Sequence, residues 1–272
     1  MTIFFPSTGF EEGYKLICGP ENSPLAKITF GKLQLTKGKS YTGETGGNEV
    51  VLDLFAGKAD VTVKFQGKAM EYKGIGGRKS MFDGRPTLVC LPPKATYTVV
   101  ALTDELDIAV SEGPSPDGAE PVVIGPDDSG TNLVGEGNYQ RQVHQGTVGT
   151  GKTLRLMVGE TISGNGTWSS YPPHKHDEVK PGEVPQEEVY LYKLNPAKGF
   201  AIQVLYDAPG RADGRSSAFL LHDGDTVVLD HGYHPVSVAP GYQVGYIWVL
   251  YADGDVYGSW SDDPAHEWIK NA

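Results

Sequence analysis

Short apolar runs rich in β-branched and aromatic residues recur along this 272-residue chain, and turns bearing glycine or proline separate nearly all of them. The 36 glycines and 19 prolines suit many short strands better than long helices. No part of the sequence keeps a long 3.6-residue period, although the terminal DDPAHEWIKNA suits one or two helical turns. The spacing predicts an all-β protein built from sandwiches or barrels. The clearest predicted strands are residues 26–35, 49–57, 59–65, 87–91, 96–102, 153–160, 188–194, 199–207, 225–230 and 246–253.

A stretch dense in proline, glycine, serine and aspartate, residues 111–130, divides these strands into two groups. The segments that begin at Gly84 and Gly224 share an order of glycine, apolar strand, turn and second β-rich run. We interpret this weak likeness as an internal duplication that predicts two similar β-barrels in tandem. The predicted organisation is therefore a domain over residues 1–110, a linker over 111–130 and a domain over 131–272.

Charge and composition narrow the range of partners. The formal net charge of −11 disfavours nucleic acid and anionic membranes, but a locally positive cleft would still admit a small anionic substrate. No apolar stretch approaches a bilayer span, and the start MTIFFPSTGFEEGYK lacks the pattern of a secretion signal. Cys18 and Cys90 predict buried thiols rather than a disulfide. We expect a cytoplasmic protein, and barrels of this type often bury their sheet edges in homo-oligomers.

Three histidines and a glutamate follow one another in an order that suits a metal site. His174 and His176 are two residues apart in YPPHKHD, so on a strand both side chains point to the same face. Glu188 opens the next strand, and His234 follows a strand that ends in a glycine turn. This donor set suits a divalent transition metal, such as zinc, manganese, iron or nickel, with positions open for substrate. An HxH pair alone is more often two exposed polar residues. The prediction of metal binding therefore rests on the whole ordered series of HxH, glutamate and final histidine.

Several residues close to these four in the sequence could also be considered as metal ligands. Glu187 precedes Glu188, and only one of them can face inward on a strand; we favour Glu188 and keep Glu187 as the alternative. His231 is close to the last ligand but falls in the turn, so we interpret it as a turn residue outside the ligand set. Glu178 and Glu183 belong to the segment before the ligand strand, where a solvated charge is the ordinary expectation.

The same residues carry a resemblance to known proteins. The series HxH, Glu, then glycine–strand–His resembles the two motifs of the cupin superfamily, but here DEVKPGEVPQE separates the second histidine from Glu188. The run SSYPPHKHD, EEVYLYKLNPAKGFAIQVLYD and LLHDGDTVVLDHGYHPVSVAPGYQVGYIWVLYAD resembles the 5-deoxy-glucuronate isomerase family of bacterial inositol catabolism. The resemblance covers residues 150–262. In the first half it rests on overall length and the β-rich pattern.

This resemblance implies a tandem cupin, or bicupin, with a metal site only in the C-terminal barrel. The first half fits that implication, since no HxH precedes Glu49 and Tyr97 falls near the place of His234. The implied reaction converts 5-deoxy-D-glucuronate to 2-deoxy-5-keto-D-gluconate, an aldose–ketose isomerisation in myo-inositol catabolism. A metal-assisted proton transfer through an enediol(ate) fits that chemistry, because a divalent metal stabilises negative charge on oxygen.

The residues that move protons and bind the substrate carboxylate stay open at this stage. Tyr190 and Tyr192 share the face of the ligand glutamate and are candidates for hydrogen bonding or proton transfer. Arg155 is a candidate to bind the carboxylate, and so are Lys175 and Arg141, although Lys175 is expected to point away from the histidines.

Three rival functions use similar residues. A cupin dioxygenase would bind iron, copper or nickel with much the same ligands and would consume oxygen. A non-catalytic sugar-binding cupin would bind its ligand without turnover. A pectin-pathway uronate isomerase is disfavoured by the long segment before Glu188.

Overall fold

The computed structural model describes residues 1–116, 119–208, 214–254 and 256–271, and its regular structure is almost entirely β-strand. All ten strands predicted above are present, so the all-β prediction is confirmed. Short 3₁₀ helices lie at Gly137–Tyr139 and Glu267–Asn271, the second within the predicted terminal turn. The strands of the described part are β1 Phe4–Phe5, β2 Gly13–Cys18, β3 Thr29–Leu35, β4 Ser40–Glu44, β5 Asn48–Ala56, β6 Lys58–Phe65, β7 Lys68–Gly76, β8 Leu88–Leu91, β9 Thr96–Ala101, β10 Leu106–Pro114, β11 Val122–Ile124, β12 Thr131–Val134, β13 Arg141–His144, β14 Leu156–Gly164, β15 Trp168–Ser169, β16 His174–Lys175, β17 Glu187–Asn195, β18 Ala201–Tyr206, β19 Ser216–Leu221, β20 Thr226–Leu229, β21 Val236–Val238, β22 Gln243–Tyr251 and β23 Ser261–Asp262.

Each half of the chain folds into two antiparallel sheets around a core. In the first half the sheet orders are β11-β8-β5-β10-β3-β2 and β4-β9-β6-β7. In the second half they are β1-β20-β17-β22-β14-β13-β12 and β15-β21-β18-β19, while β16 pairs with β23. Alternating apolar side chains of the paired sheets, such as Leu52 with Val99 and Tyr192 with Val236, fill the two interiors.

The halves repeat one another strand by strand, as the sequence duplication predicts. Strands β3, β5, β8 and β10 occupy the places of β14, β17, β20 and β22 in the large sheets. Val50 pairs with Leu91 at the end of β8, and Glu188 pairs with Leu229 at the end of β20. Val50 therefore stands at the position that Glu188 occupies in the second half, so an apolar side chain replaces a carboxylate there.

Some strands cross the predicted domain limits. Strand β1 pairs with β20 of the second half, and β11 lies inside the predicted linker and pairs with β8. Strand β10 continues to Pro114, beyond the predicted limit at residue 110. Strands β1 and β11 each supply backbone partners to a strand that would otherwise be a sheet edge.

The large sheets of the two halves pack against each other. Side chains at odd positions of β5 and β17, including Val51, Phe55, Val189 and Leu191, belong to one apolar cluster that both halves share. Cys18 and Cys90 are buried free thiols in the same cluster, as expected. Among the described residues no helix combines the length and the apolar character needed to cross a bilayer.

Two glutamates at equivalent positions add polar contacts between the halves. The carboxylate of Glu49 accepts backbone N–H groups from residues 154–156, with distances of 2.9 and 2.7 Å to the first two nitrogens. The carboxylate of Glu187 accepts the N–H groups of residues 26–28 at 2.9, 3.0 and 3.0 Å. Hydrogen bonds to an ionised acceptor are about twice as strong as neutral ones. Each half therefore anchors the chain that leads into an equivalent large-sheet strand of the other, β14 for Glu49 and β3 for Glu187.

We predict that Glu49→Gln lowers the free energy of unfolding by about 2 kcal/mol, since an amide nitrogen would then face backbone N–H donors. Urea denaturation followed by circular dichroism measures this change. Glu44→Gln, at an exposed position of β4, is the control and should stay within about 0.5 kcal/mol of wild type. Equal stability of both variants would show that the Glu49 carboxylate does not hold the halves together.

Candidate metal centre

Three buried side chains from separate segments meet at one point inside the second half. His176, Glu188 and His234 form this ligand group, whose donor atoms all lie within 4.8 Å of one another. The Nε2 atom of His176 lies 2.9 Å from Glu188 Oε2, and His234 Nε2 lies 3.5 Å from the same oxygen. Strand β17 supplies the glutamate, the residue after β16 supplies one histidine, and the turn between β20 and β21 supplies the other.

The second ring nitrogen of each histidine faces a backbone carbonyl. His176 Nδ1 lies 3.0 Å from the oxygen of Gln186, and His234 Nδ1 lies 3.1 Å from the oxygen of Gly232. Because a carbonyl only accepts, both Nδ1 atoms carry hydrogen, and a neutral ring then presents its Nε2 lone pair to the group. His234 Nε2 is buried without a hydrogen-bond partner. Converging lone pairs of this kind fit a bound metal ion, with the carbonyls orienting the ligands.

The pKa values of the histidines agree with this arrangement. Burial, with the neighbouring His174, lowers the pKa of His234 to about 3, so its ring is neutral at physiological pH. Burial also opposes the charged form of His176, but the hydrogen bond to Glu188 and its charge outweigh that effect and raise the pKa. A proton and a metal ion would therefore compete for the same His176 lone pair.

The fourth predicted ligand, His174, lies beside the ligand group. Its ring centroid is 4.6 Å from that of His234 and 6.4 Å from that of His176. On its other side it packs against Trp260 at 4.9 Å, and its ring hydrogen-bonds the Pro172 carbonyl. Burial lowers the pKa of His174 to about 3. Of the four predicted ligands, the structure thus gathers three and places His174 at their edge.

Side-chain alternation along β17 separates the two glutamates. Glu187 faces the first half of the chain, where it accepts the N–H groups of residues 26–28, while Glu188 faces the histidines. This geometry favours Glu188 as the ligand. His231 lies in the turn, where its Nδ1 is 3.1 Å from Asp230 and its Nε2 is 3.4 Å from Asp207. Among the described residues it is not part of the ligand group.

The segment between the histidines and the ligand strand is held by buried charge. Lys175 points away from the histidines, as expected, and its Nζ lies 2.5 Å from Asp177 and 2.9 Å from Glu183. Glu183 is buried and also accepts the backbone N–H groups of Asp177 and Glu178 at 2.9 Å each. The expectation of a solvated charge is therefore wrong for Glu183, because the loop folds its own donors around it. Asp177 Oδ2 in turn accepts the Gly232 N–H at 3.0 Å, which ties this segment to the turn of the last ligand.

A cavity of about 460 Å³ opens beside the ligand group, and His174, His176 and Glu188 are part of its wall. Aromatic side chains form a large part of the remaining wall, among them Tyr190, Tyr246, Trp248, Tyr257 and Trp260. Charged groups reach it from Arg141, Asp262 and Lys270. A mostly apolar wall with a few placed polar groups is typical of a small-molecule site.

Of the two predicted tyrosines, the structure brings one to the cavity. Tyr190 is part of the wall, and its hydroxyl lies 3.3 Å from Ser170 Oγ, which lies 3.4 Å from the Tyr246 hydroxyl. Tyr192 instead donates to Gln203 in the core and is not among the described residues of the wall. Burial raises the pKa of Tyr190 and of Tyr246, so both hydroxyls stay neutral. No sequence motif pointed to Ser170 or Tyr246, which come from other segments.

The structure also separates the candidate cations. Arg155 pairs with Asp253 at 3.0 Å and is not among the described residues of the cavity wall. Arg141 does reach the wall, where its Nη1 donates to the carbonyls of Tyr139 at 3.2 Å and Tyr171 at 2.8 Å. Burial lowers the pKa of Arg141, and no carboxylate of the described residues forms an ion pair with it. A buried cation without a carboxylate partner favours binding of an anion.

Comparison with known proteins places this geometry in a family. Residues 5–269 match the KduI/IolB family. A protein named 5-deoxy-glucuronate isomerase from Geobacillus thermodenitrificans strain NG80-2 is 34% identical over 266 residues, covering 96% of this chain and 93% of the relative. The protein of that name from Bacillus subtilis strain 168 is 33% identical over 253 residues, covering 91% of this chain and 89% of the relative. The likeness therefore extends through the first half as well.

Solved structures share the fold over the full chain. The crystal structure of an IolB-like protein from Salmonella typhimurium LT2 superposes with a TM-score of 0.91 at 30% identity, covering 99% of this chain and 100% of that one. The oxalate decarboxylase of Lactobacillus farciminis, a bicupin, gives a TM-score of 0.66 at 11% identity, covering 100% of this chain and 91% of that one. That second likeness concerns the fold alone, and it confirms the tandem cupin. On the family match and on relatives above 30% identity, the chain belongs to the KduI/IolB family.

Proposed function

We propose that this protein is a metal-dependent aldose–ketose isomerase that converts 5-deoxy-D-glucuronate to 2-deoxy-5-keto-D-gluconate in inositol catabolism. The observation that carries the proposal is the ligand group of His176, Glu188 and His234 at the wall of a cavity that also contains Arg141. Its KduI/IolB relatives are named 5-deoxy-glucuronate isomerase. The substrate is a small sugar acid, which suits a cavity where Arg141 has no carboxylate partner among the described residues.

The ligand group would hold a divalent transition metal, with His174 as a fourth ligand at its edge. Bound there, the metal would supply a Lewis acid that stabilises negative charge on substrate oxygen. Zinc, manganese, iron and nickel all accept histidine and carboxylate ligands. Manganese(II) centres are named for the oxalate decarboxylase of Bacillus subtilis, whose likeness to this chain concerns the fold.

The other residues of the wall would bind and orient the sugar acid. Arg141 would bind the substrate carboxylate, because its guanidinium is partly buried at the cavity wall and its two carbonyl partners contact only Nη1. The neutral hydroxyls of Tyr190 and Tyr246 would donate hydrogen bonds to substrate oxygens. Aromatic side chains around them exclude water, and the low local dielectric strengthens these polar contacts.

The reaction itself is the first test. Metal-reconstituted protein given 5-deoxy-D-glucuronate without oxygen should form 2-deoxy-5-keto-D-gluconate, followed by NMR. Protein stripped of metal by a chelator is the control and should be inactive. Binding without any product would favour a sugar-binding cupin, and turnover only with oxygen uptake would favour a dioxygenase; either result contradicts the proposal.

Metal content tests the ligand group. His234→Ala and Glu188→Gln should each lower bound metal at least about tenfold, measured by elemental analysis, because a donor is lost from a buried site. His174→Ala should also lose metal, as a variant of the proposed fourth ligand. His231→Ala and Glu187→Gln are matched neighbours that should keep it. Full metal content in the first two variants, or its loss in the matched pair alone, would contradict the assignment.

Substrate affinity tests the anion site. Arg141→Met should raise KM for the sugar acid about 30-fold or more, the effect of losing roughly 2 kcal/mol from a buried charge pair. Arg155→Met is the matched control, because Arg155 pairs with Asp253 outside the cavity wall. A normal KM in Arg141→Met together with a raised KM in Arg155→Met would assign the carboxylate to Arg155.

A further inference from the structure

We infer that Asp262 is the carboxylate that takes the proton from the sugar acid and returns it, an inference that rests on the proposed isomerase function. Asp262 belongs to the C-terminal segment, residues 256–271, which follows the last large-sheet strand and packs across the cavity. Four side chains of this segment form part of the cavity wall, namely Tyr257, Trp260, Asp262 and Lys270.

The pairing of β16 with β23 fixes the direction of the Asp262 side chain. Asp262 stands directly opposite His174, and Ser261 stands opposite Lys175. Directly opposite residues of an antiparallel pair share a face, so Asp262 lies on the face of His174. Lys175 occupies the other face, where it contacts Glu183. The register thus places a carboxylate beside His174, and Asp262 is part of the cavity wall.

Few other groups of the wall can accept a proton from carbon. Among the described residues of the wall the carboxylates are Glu188 and Asp262. Glu188 belongs to the ligand group together with His176, and His174 is the proposed fourth ligand. Tyr190 and Tyr246 are neutral hydroxyls, because burial raises the pKa of each, and they are suited to donate. Asp262 is therefore the carboxylate that metal binding leaves free.

The partner of Asp262 is compatible with this role. Lys270 forms an ion pair with Asp262, and its side chain is 48% exposed while that of Asp262 is 18% exposed. An ion pair with such an exposed lysine is weak, because water competes for the ammonium group. Lys270 can therefore move away as the sugar acid enters, which leaves the carboxylate facing the substrate.

The proton transfer balances with this one carboxylate. The C–H bond next to the aldehyde breaks, its proton goes to Asp262, its electron pair forms the C=C bond, and the carbonyl π pair moves to the carbonyl oxygen. The proton of the adjacent hydroxyl then passes to that oxygen, for which the Tyr190 and Tyr246 hydroxyls offer a route. As the new C=O bond forms, Asp262 returns its proton to the former aldehyde carbon, which completes the ketose.

Asp262→Asn tests this inference beside the wild-type enzyme. The variant should lose at least about 100-fold in kcat, while its metal content stays unchanged and its KM stays within about threefold. Asp127→Asn is the matched control, because the side chain of Asp127 is fully exposed and lies far from Asp262 in the sequence. This variant should keep wild-type kcat. Lys270→Met should keep kcat within about tenfold of the wild-type value. That result would show that the reaction needs the carboxylate itself rather than its ion pair with Lys270. Formate should restore part of the activity of Asp262→Gly, since it can replace the missing carboxylate.

Each result decides between separate claims. A kcat of Asp262→Asn within tenfold of an active wild type would overturn the role of Asp262 and leave the isomerase standing. Loss of metal or of the folded state in Asp262→Asn, with no rescue of Asp262→Gly by formate, would overturn it as well. An inactive wild type would overturn the proposed function, and the inference with it.

Discussion

Side-chain alternation along β17 links the assembly of the molecule to its site. Glu187 faces the first half of the chain and accepts three backbone N–H groups there, and Glu188, one position later, faces the histidines. A slip of one residue in this strand would exchange the two carboxylates and remove both functions at once. The equivalent strand of the first half keeps Glu49 for the contact between halves but has Val50 in place of the ligand. The duplicated fold therefore repeats the contact, whereas the position of the proposed ligand Glu188 is apolar in the first half.

Within the site, the electrostatic problem is that three electron-pair donors are buried together. The carbonyls of Gln186 and Gly232 fix both histidine rings so that their Nε2 atoms face Glu188. Such an arrangement is unfavourable unless a cation lies between the donors, because buried polar groups need partners. The segment that departs from the ordinary cupin spacing contributes to this order, since its buried Glu183 holds the chain between His176 and β17.

The strands, the duplication and the family could be predicted from the sequence, because these depend on local alternation and on short motifs such as HxH. Residues whose role depends on distant segments could not be predicted in this way. Arg155 and Arg141 looked alike as candidate cations, and only tertiary packing sends one to Asp253 and the other to the cavity. Asp262 had no sequence signal, because its position depends on the pairing of two short strands that lie far apart in the sequence, with His174 opposite Asp262 and Lys175 opposite Ser261.

We propose that the chain binds a catalytic metal through His176, Glu188 and His234. Anomalous X-ray diffraction from crystals of the metal-loaded protein, collected at the absorption edge of the bound metal, would locate that metal. We expect one strong peak within bonding distance of the two Nε2 atoms and of a Glu188 oxygen, at about 2.0–2.2 Å if the metal is zinc. A peak bound instead by Glu187 or His231, or no peak at the ligand group in an active crystal, would contradict it.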